Sequence, residues 1–187
     1  VLYAGSLGYY FRNDLKKFSN KNYLKITGKE INKGKVQLES LKKDYKIGLS
    51  WKSFNNSYSN QKSLNLIDFK FLFNSSNLDF VNLQYGDVTD EIKNFNKHVE
   101  TKIKILDNID LFNDFIKVAA ILKNIDLFIT VSNSTAHLAG ALGVKTLLIK
   151  PFNQATFHYW NQSTNKTPWY DSVELVEKSD LENNKSF

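Results

Sequence analysis

The stretch from Ile129 to Pro151, ITVSNSTAHLAGALGVKTLLIKP, decides the fold class. The run from Leu127 to Val131 is apolar and rich in β-branched residues, which is typical of a parallel strand buried on both faces. Four N-cap residue types follow at 132–135, and small residues then continue as a helix towards Gly143, which stands where a C-cap glycine belongs. Val144 to Ile149 is a second buried strand. A strand, a short helix and a strand joined by tight loops predict a parallel, right-handed βαβ unit.

The start of this helix allows two interpretations. Its open amides face the carboxyl end of the preceding strand, and such a helix N-terminus attracts phosphate through its N–H groups and its dipole. Ser134 and Thr135 add hydroxyl groups there, and ligands bind at this edge of open α/β sheets. In the alternative interpretation the SNST sequence only caps the helix, with Asn133 or Ser132 as the cap.

His137 lies in the first turn of the same helix. The helix dipole disfavours a cationic side chain at this end, and a lone histidine near a helix start is more often structural than catalytic. We interpret His137 as a neutral hydrogen-bond donor to a ligand or to a loop.

The rest of the chain alternates between strands and helices, which predicts an α/β fold with a doubly wound parallel, Rossmann-like sheet. Residues 46–187 are expected to form this domain, whereas residues 1–45 look like the end of a preceding domain and a linker helix. The other strands are predicted at 46–50, 80–83, 102–106 and 173–176, and the helices at 33–43, 66–73, 91–98 and 113–124.

Composition excludes several classes of function. The 187 residues include no cysteine, so disulfides, thiolate metal sites and cysteine nucleophiles are excluded. The three histidines lack metal-ligand spacing, so no metal site is expected. The net charge of +6 comes from scattered lysines without a clustered basic face, so an anionic small ligand is favoured over nucleic acid. The sequence contains neither a signal peptide nor an apolar run of transmembrane length, and a cytoplasmic location is expected.

Three tryptophans fall at strand ends or in loops near the expected carboxyl edge of the sheet: Trp51, Trp160 and Trp169. They either pack the loops or form the wall of a pocket for a ring or a sugar.

Several segments together resemble the carboxyl-terminal half of heptosyltransferase-like GT-B glycosyltransferases, and most closely the bacterial form fused to tetratricopeptide repeats. The resemblance covers almost the whole chain, and the pieces SNSTAHLAGALG and PWYDS are specific in combination. The matching pieces are GSLGYYFR at 5–12, KIGLSWKS at 46–53, KSLNL at 62–66, FVNLQYGD at 80–87, NDFIKVAAILKNIDLFITVSNSTAHLAGALG at 113–143, YW at 159–160 and PWYDSVEL at 168–175.

The resemblance implies the donor-binding half of an inverting, metal-independent enzyme that transfers a sugar from a nucleotide-sugar, with no other cofactor. The diphosphate is expected at the helix that follows the NSTAH-type motif. Lys62 matches the basic residue of the family's RS or KS pair, and an ammonium group there would stabilise a leaving nucleoside diphosphate without metal. The residues implied in nucleotide-sugar binding are Lys52, Lys62, Gln84, Asp107, Asn133, Ser134, Thr135 and His137.

The sequence departs from the family pattern at Ser132, where many members have aspartate. The general base and the acceptor-binding domain are expected outside this chain, so that the chain alone would lack turnover. The acceptor, whether glycan, lipid or protein, and the nucleotide base are not determined. A second hypothesis is a non-catalytic nucleotide- or glycan-binding module in a repeat-scaffold protein. The absence of methionine and the start at Val1 lead us to expect a fragment of a longer protein.

Overall fold

A seven-stranded sheet forms the centre of the molecule, with the strand order β3-β2-β1-β4-β5-β7-β6. The computed structural model describes residues 3, 6–19, 22–54, 59–150, 159–160 and 164–183. The sheet is parallel except for β6, which pairs antiparallel with β7 at one edge. The strands are β1 (Tyr45–Ser50), β2 (Leu78–Asn82), β3 (Ile103–Lys104), β4 (Leu127–Val131), β5 (Thr146–Ile149), β6 (Lys166–Thr167) and β7 (Tyr170–Val176).

Helices cover both faces of the sheet, as a doubly wound fold requires. The helices are α1 (Leu7–Phe11), α2 (Gly28–Gln37), α3 (Ser59–Lys62), α4 (Thr89–Asn96), α5 (Phe115–Leu122), α6 (Ser134–Leu142) and α7 (Lys178–Asn183), with 3₁₀ helices at Leu15–Lys17 and Leu66–Asn74. The second 3₁₀ helix and α4 share one core cluster with the sheet, whereas α5 and α6 belong to clusters on its other face. α2 packs on α5.

The βαβ unit predicted from sequence is confirmed. Asn133 caps α6, because its side chain accepts a hydrogen bond from the Ala136 amide at 3.0 Å. Gly143 ends the helix in the left-handed conformation with φ 70°. β5 then pairs parallel with β4, so the first turn of α6 lies at the carboxyl edge of the sheet.

The residues before β1 are in contact with the main domain. Leu38 and Leu41 are buried in the same core as α5, and a Cβ atom on Gly34 of α2 would lie 2.3 Å from the Ala120 carbonyl oxygen. The N-terminal segment (residues 6–19 and 22–27) contacts α6, where the Leu24 amide donates to the Ala141 carbonyl at 3.1 Å. The assignment of residues 1–45 to a preceding domain stays a prediction.

Several sequence predictions were inaccurate in detail. The helix expected at 33–43 is found at Gly28–Gln37, because the Thr27 side chain caps the Glu30 amide and begins the helix earlier. β6 was not predicted. Pro151, which ends the stretch that decides the fold class, lies outside the described residues.

Candidate functional site

The topology places the candidate site at the switch point of the sheet. From β1 the strand order runs outward through β2 to β3, and from β4 it runs the other way through β5. β1 and β4 are paired side by side, with Ser50 opposite Thr130 near their carboxyl ends. In open α/β sheets, ligands bind outside the strand ends at such a point.

A cavity of about 320 Å³ opens at these strand ends. It is lined from three directions by the β1 exit loop, by the end of α3 and by the start of α6. The lining residues that the structure describes are Ser53, Lys62, Tyr85, Ser132, Asn133, Ser134, His137 and Tyr159. Four of the eight residues implied by the resemblance therefore meet here: Lys62, Asn133, Ser134 and His137.

Lys62 brings a buried ammonium group to this cavity. It is the last residue of α3 and is only 7% exposed. Burial lowers its pKa from the ordinary lysine value, because the charged form loses hydration. A phosphate group in the cavity would favour the charged form again. Lys62 is therefore suited to bind an anion.

The start of α6 supplies hydrogen-bond donors on the other side of the cavity. The first four N–H groups of a helix have no partner within the helix, and the Asn133 side chain uses only the one at Ala136. Ser134 is exposed and lines the cavity. Thr135 is buried and is not among the described lining residues, so its predicted contact with a ligand stays untested.

A buried hydrogen-bond network ties the three strand ends together beneath the cavity. The Gln84 side-chain oxygen accepts from the Trp51 amide at 2.8 Å, the Lys52 amide at 2.6 Å and the Ser50 hydroxyl at 3.1 Å. Asn133 Nδ2 donates to Ser50 Oγ at 2.9 Å. The Gln84 side chain is fully buried and shapes the β1 exit loop. Gln84 also lines the second cavity described below, and its predicted role in framing a nucleoside stays a prediction.

Lys52 lies outside the first cavity. Its ammonium group is 2.6 Å from a Glu91 carboxylate oxygen on α4, and the Trp51 indole donates to the other Glu91 oxygen at 3.2 Å. In this structure the ammonium group is thus paired with a carboxylate, and a role of Lys52 in nucleotide-sugar binding stays a prediction.

A second cavity of about 330 Å³ lies at the carboxyl ends of β2 and β3. Its walls combine apolar residues such as Ile105, Leu106 and Phe112 with the polar Asn82 and Asp110. Asp107 is exposed and is not among the described residues that line this cavity. The carboxylate that lines it is that of Asp110. Hydrogen bonds from Asn113 and from the amides of Phe112 and Asn113 lower the pKa of Asp110.

Aromatic residues surround His137. Its ring stacks on Trp160 with centroids 4.8 Å apart and meets Tyr159 edge-on at 4.9 Å. The Tyr170 hydroxyl is 3.0 Å from His137 Nδ1. Tyr159 and Tyr170 were not identified as site residues from sequence, although YW and PWYDS were part of the resemblance.

Two of the three tryptophans are packing residues. Trp51 and Trp160 have no exposed surface, and each indole N–H is hydrogen-bonded, to Glu91 and to Ser132 Oγ respectively. The pocket-wall interpretation is therefore wrong for these two. Trp169 is half-buried and meets Phe18 edge-on at 5.0 Å.

Within the described part of the chain, no group of three histidine or acidic side chains is placed to hold a metal ion. In the same residues, no helix is both long and apolar enough to cross a membrane.

Comparisons with known proteins define the class of fold. The chain aligns with a glycosyl transferase of family 9 from Veillonella parvula at a TM-score of 0.62, with 15% identity over 88% of this chain and 48% of that one. It aligns with the ADP-heptose LPS heptosyltransferase II of E. coli at a TM-score of 0.59, with 11% identity over 86% of this chain and 48% of that one. The chain therefore has the fold found in about half of each glycosyltransferase, and the predicted fold class is confirmed.

Sequence comparison gives a second relationship. The chain is 34% identical over 140 residues to protein FlbA of Caulobacter vibrioides, an alignment that covers 74% of this chain and 23% of FlbA. No protein-family model matches the chain.

Proposed function

We propose that this chain is the donor-binding half of an inverting, metal-independent glycosyltransferase. The observation that carries the proposal is that Lys62 and the start of α6 face one cavity at the switch point of the sheet. A diphosphate needs a positive charge and several hydrogen-bond donors, and these two elements supply both. The similarity in fold to two glycosyltransferases supports the sugar-transfer part of the proposal.

In the proposed reaction, the bond from the sugar C1 to the diphosphate oxygen breaks while an acceptor oxygen bonds to C1 from the opposite face. The electron pair of the broken bond passes to the diphosphate. The Lys62 ammonium group and the amides of α6 stabilise this charge where it develops, in place of a metal ion. A general base takes the proton of the acceptor hydroxyl, and we expect this base outside the chain.

The second cavity is proposed to receive the nucleoside. It lies beside the first, because Tyr85 lines one and its neighbours Gln84 and Gly86 line the other. Its apolar residues suit the flat face of a base, and Asn82 and Asp110 supply polar groups.

Calorimetric titration with ADP, GDP, UDP and CDP tests the proposal. At least one of them should bind to the full chain, and affinity should fall with added salt because the contact is ionic. Lys62→Met should weaken binding by about 1–3 kcal/mol, the range for a charge-assisted hydrogen bond. Lys70→Met removes an exposed lysine and is the matched control. If none of the four nucleotides binds, the proposal is wrong.

A non-catalytic binding module is the second candidate function. It is favoured by one observation: none of the described residues that line the first cavity is acidic. Among its described lining residues, this cavity therefore has no carboxylate that could act as a base. Assays for transfer and for hydrolysis of the sugar from a bound nucleotide-sugar, carried out on a longer protein that contains this chain, separate the two candidates. Binding without either reaction would favour the module.

A further inference from the structure

Tyr170 is positioned by direct contact with the backbone of α6. It begins β7 and is 9% exposed. A Cβ atom on Gly140 would lie 2.5 Å from the tyrosine ring, so only glycine lets the ring reach the helix at this point. The phenol hydroxyl is thereby held one turn from Gly140 along the helix, beside His137.

The hydroxyl fixes the orientation of a ring that lines the first cavity. Stacking on Trp160 sets the plane of the His137 imidazole, but stacking alone does not distinguish one edge of the ring from the other. The hydrogen bond between Tyr170 and Nδ1 does distinguish them, because the opposite edge has a carbon at that position. Burial raises the pKa of Tyr170, so the group remains a neutral phenol.

The N-terminal segment contacts Tyr170 from the other side. Tyr23 interacts with the Tyr170 side chain, and the two ring centroids are 6.5 Å apart. The neighbouring residues are fixed to α6: Leu24 by its backbone hydrogen bond, and Asn22 by its contact with Gly143, where a Cβ atom would lie 1.9 Å from Asn22 Nδ2. A continuous series of contacts therefore leads from the N-terminal segment to the cavity.

We propose that Tyr170 is a positioning residue for the phosphate-binding cavity, that it acts through His137, and that Tyr23 supports it from the N-terminal segment. This rests on the proposed function, because the ligand it assumes is a nucleoside diphosphate. No step of the transfer passes through Tyr170 itself. Its effect is to present one edge of His137 to the diphosphate.

The test compares Tyr170→Phe with the parent chain, using the nucleoside diphosphate that binds best and the nucleoside that carries the same base. Phenylalanine keeps the ring and removes only the hydroxyl. We expect about a three- to tenfold loss of affinity for the diphosphate, the size of one neutral hydrogen bond, and no change for the nucleoside. Tyr23→Phe should cause a smaller loss in the same direction. Tyr45→Phe, at an exposed tyrosine at the opposite end of β1, is the control.

A double-mutant cycle separates positioning from a merely structural role. In a His137→Ala background, Tyr170→Phe should cause no further loss of diphosphate affinity, because the residue it positions is gone. Three outcomes would each overturn this inference while leaving the proposed function intact. They are equal diphosphate affinity of Tyr170→Phe and the parent, equal losses of affinity for diphosphate and nucleoside, and additive losses in the double-mutant cycle. If the parent itself binds none of the nucleotides, the proposed function fails and this inference fails with it.

Discussion

Gln84 shows what single residues contribute below the site. Its side-chain oxygen accepts three hydrogen bonds, and its side-chain nitrogen donates to the Tyr85 carbonyl at 2.8 Å. A buried amide with all of these partners is stabilising, whereas the same group unpaired would cost free energy. Sequence patterns could not reveal this role, because a glutamine after a strand can equally point into solvent, towards a ligand or into the protein.

The lowered pKa of Lys62 predicts how binding and stability change with pH. The unfolded chain holds the Lys62 proton more tightly than the folded chain, so this residue makes the free protein more stable as pH rises towards 10.5. Binding of an anion has the opposite dependence, since it requires the ammonium form. Nucleoside diphosphate affinity measured by calorimetry should therefore fall as pH rises, and the fall should begin below the ordinary lysine pKa.

Lys62→Arg is the matched variant for this pH profile, because a guanidinium stays charged over the whole range. If it binds, its affinity should be flat where that of the parent falls. A parent profile that is equally flat would show that Lys62 does not contact the ligand.

Asn133 combines a cap with a contact between strands, and the two functions can be separated. Asn133→Ala should lower the free energy of unfolding by about 0.5–2 kcal/mol for the cap alone. It should cost more in total, because the bond to Ser50 Oγ is lost as well. Asn133→Ser keeps a capping oxygen but is too short to reach Ser50, so it should fall between the parent and Asn133→Ala in urea unfolding. An Asn133→Ser variant as stable as the parent would contradict a role for the Ser50 contact, whereas equal stability of the two variants would contradict a role for the cap.

At the scale of elements, the packing of α2 on α5 tests whether the residues before β1 belong to the same folding unit. Gly34→Ala places a methyl group 2.3 Å from the Ala120 carbonyl oxygen, and overpacking of this kind costs about 1–3 kcal/mol. Gly28→Ala, in the first turn of the same helix, meets nothing within 4 Å and is the control. A single unfolding transition, with a midpoint that is lowered by Gly34→Ala and not by Gly28→Ala, would show that α2 is part of one cooperative unit. Two transitions, or no shift, would contradict this.

The elements were predictable from sequence where their signal is local. β1, β4 and β5 are mostly buried, and their predicted positions agree with the structure to within two residues. β3 was expected over five residues, but its ladder covers only Ile103 and Lys104, because an edge strand has one neighbour and diverges early from it. β6 pairs for two residues and depends on β7, so no local pattern could indicate it.

For the whole molecule, the proposed independence of metal can be tested directly. The described residues contain no cluster of metal ligands, and Lys62 with the start of α6 supplies positive charge instead. Nucleoside diphosphate affinity should therefore be unchanged in excess EDTA. An affinity that collapses in chelator and returns with magnesium or manganese would mean that the diphosphate is held through a metal.

The position of the site could be predicted from the order of strands and helices, but its composition could not. Alternation of elements places β1 and β4 together, and this brings Lys62 near Ser134. Which polar residues then face the cavity depends on loop conformation. Lys52 pairs with Glu91, a contact between segments about forty residues apart. Asp110 rather than Asp107 is among the described lining residues of the second cavity, and this depends on the shape of one loop.

The three hydrogen bonds that the Gln84 side-chain oxygen accepts have a consequence for hydrogen exchange. The amides of Trp51 and Lys52 follow the end of β1, where backbone amides outside a sheet ladder ordinarily exchange with solvent through small local openings. Here both amides donate to the fully buried Gln84 side chain, which follows the end of β2. They should exchange only when β1 and β2 separate, at rates close to those of the central strands. Deuterium uptake measured at single-residue resolution would show two slowly exchanging amides in a segment that is irregular by its backbone conformation.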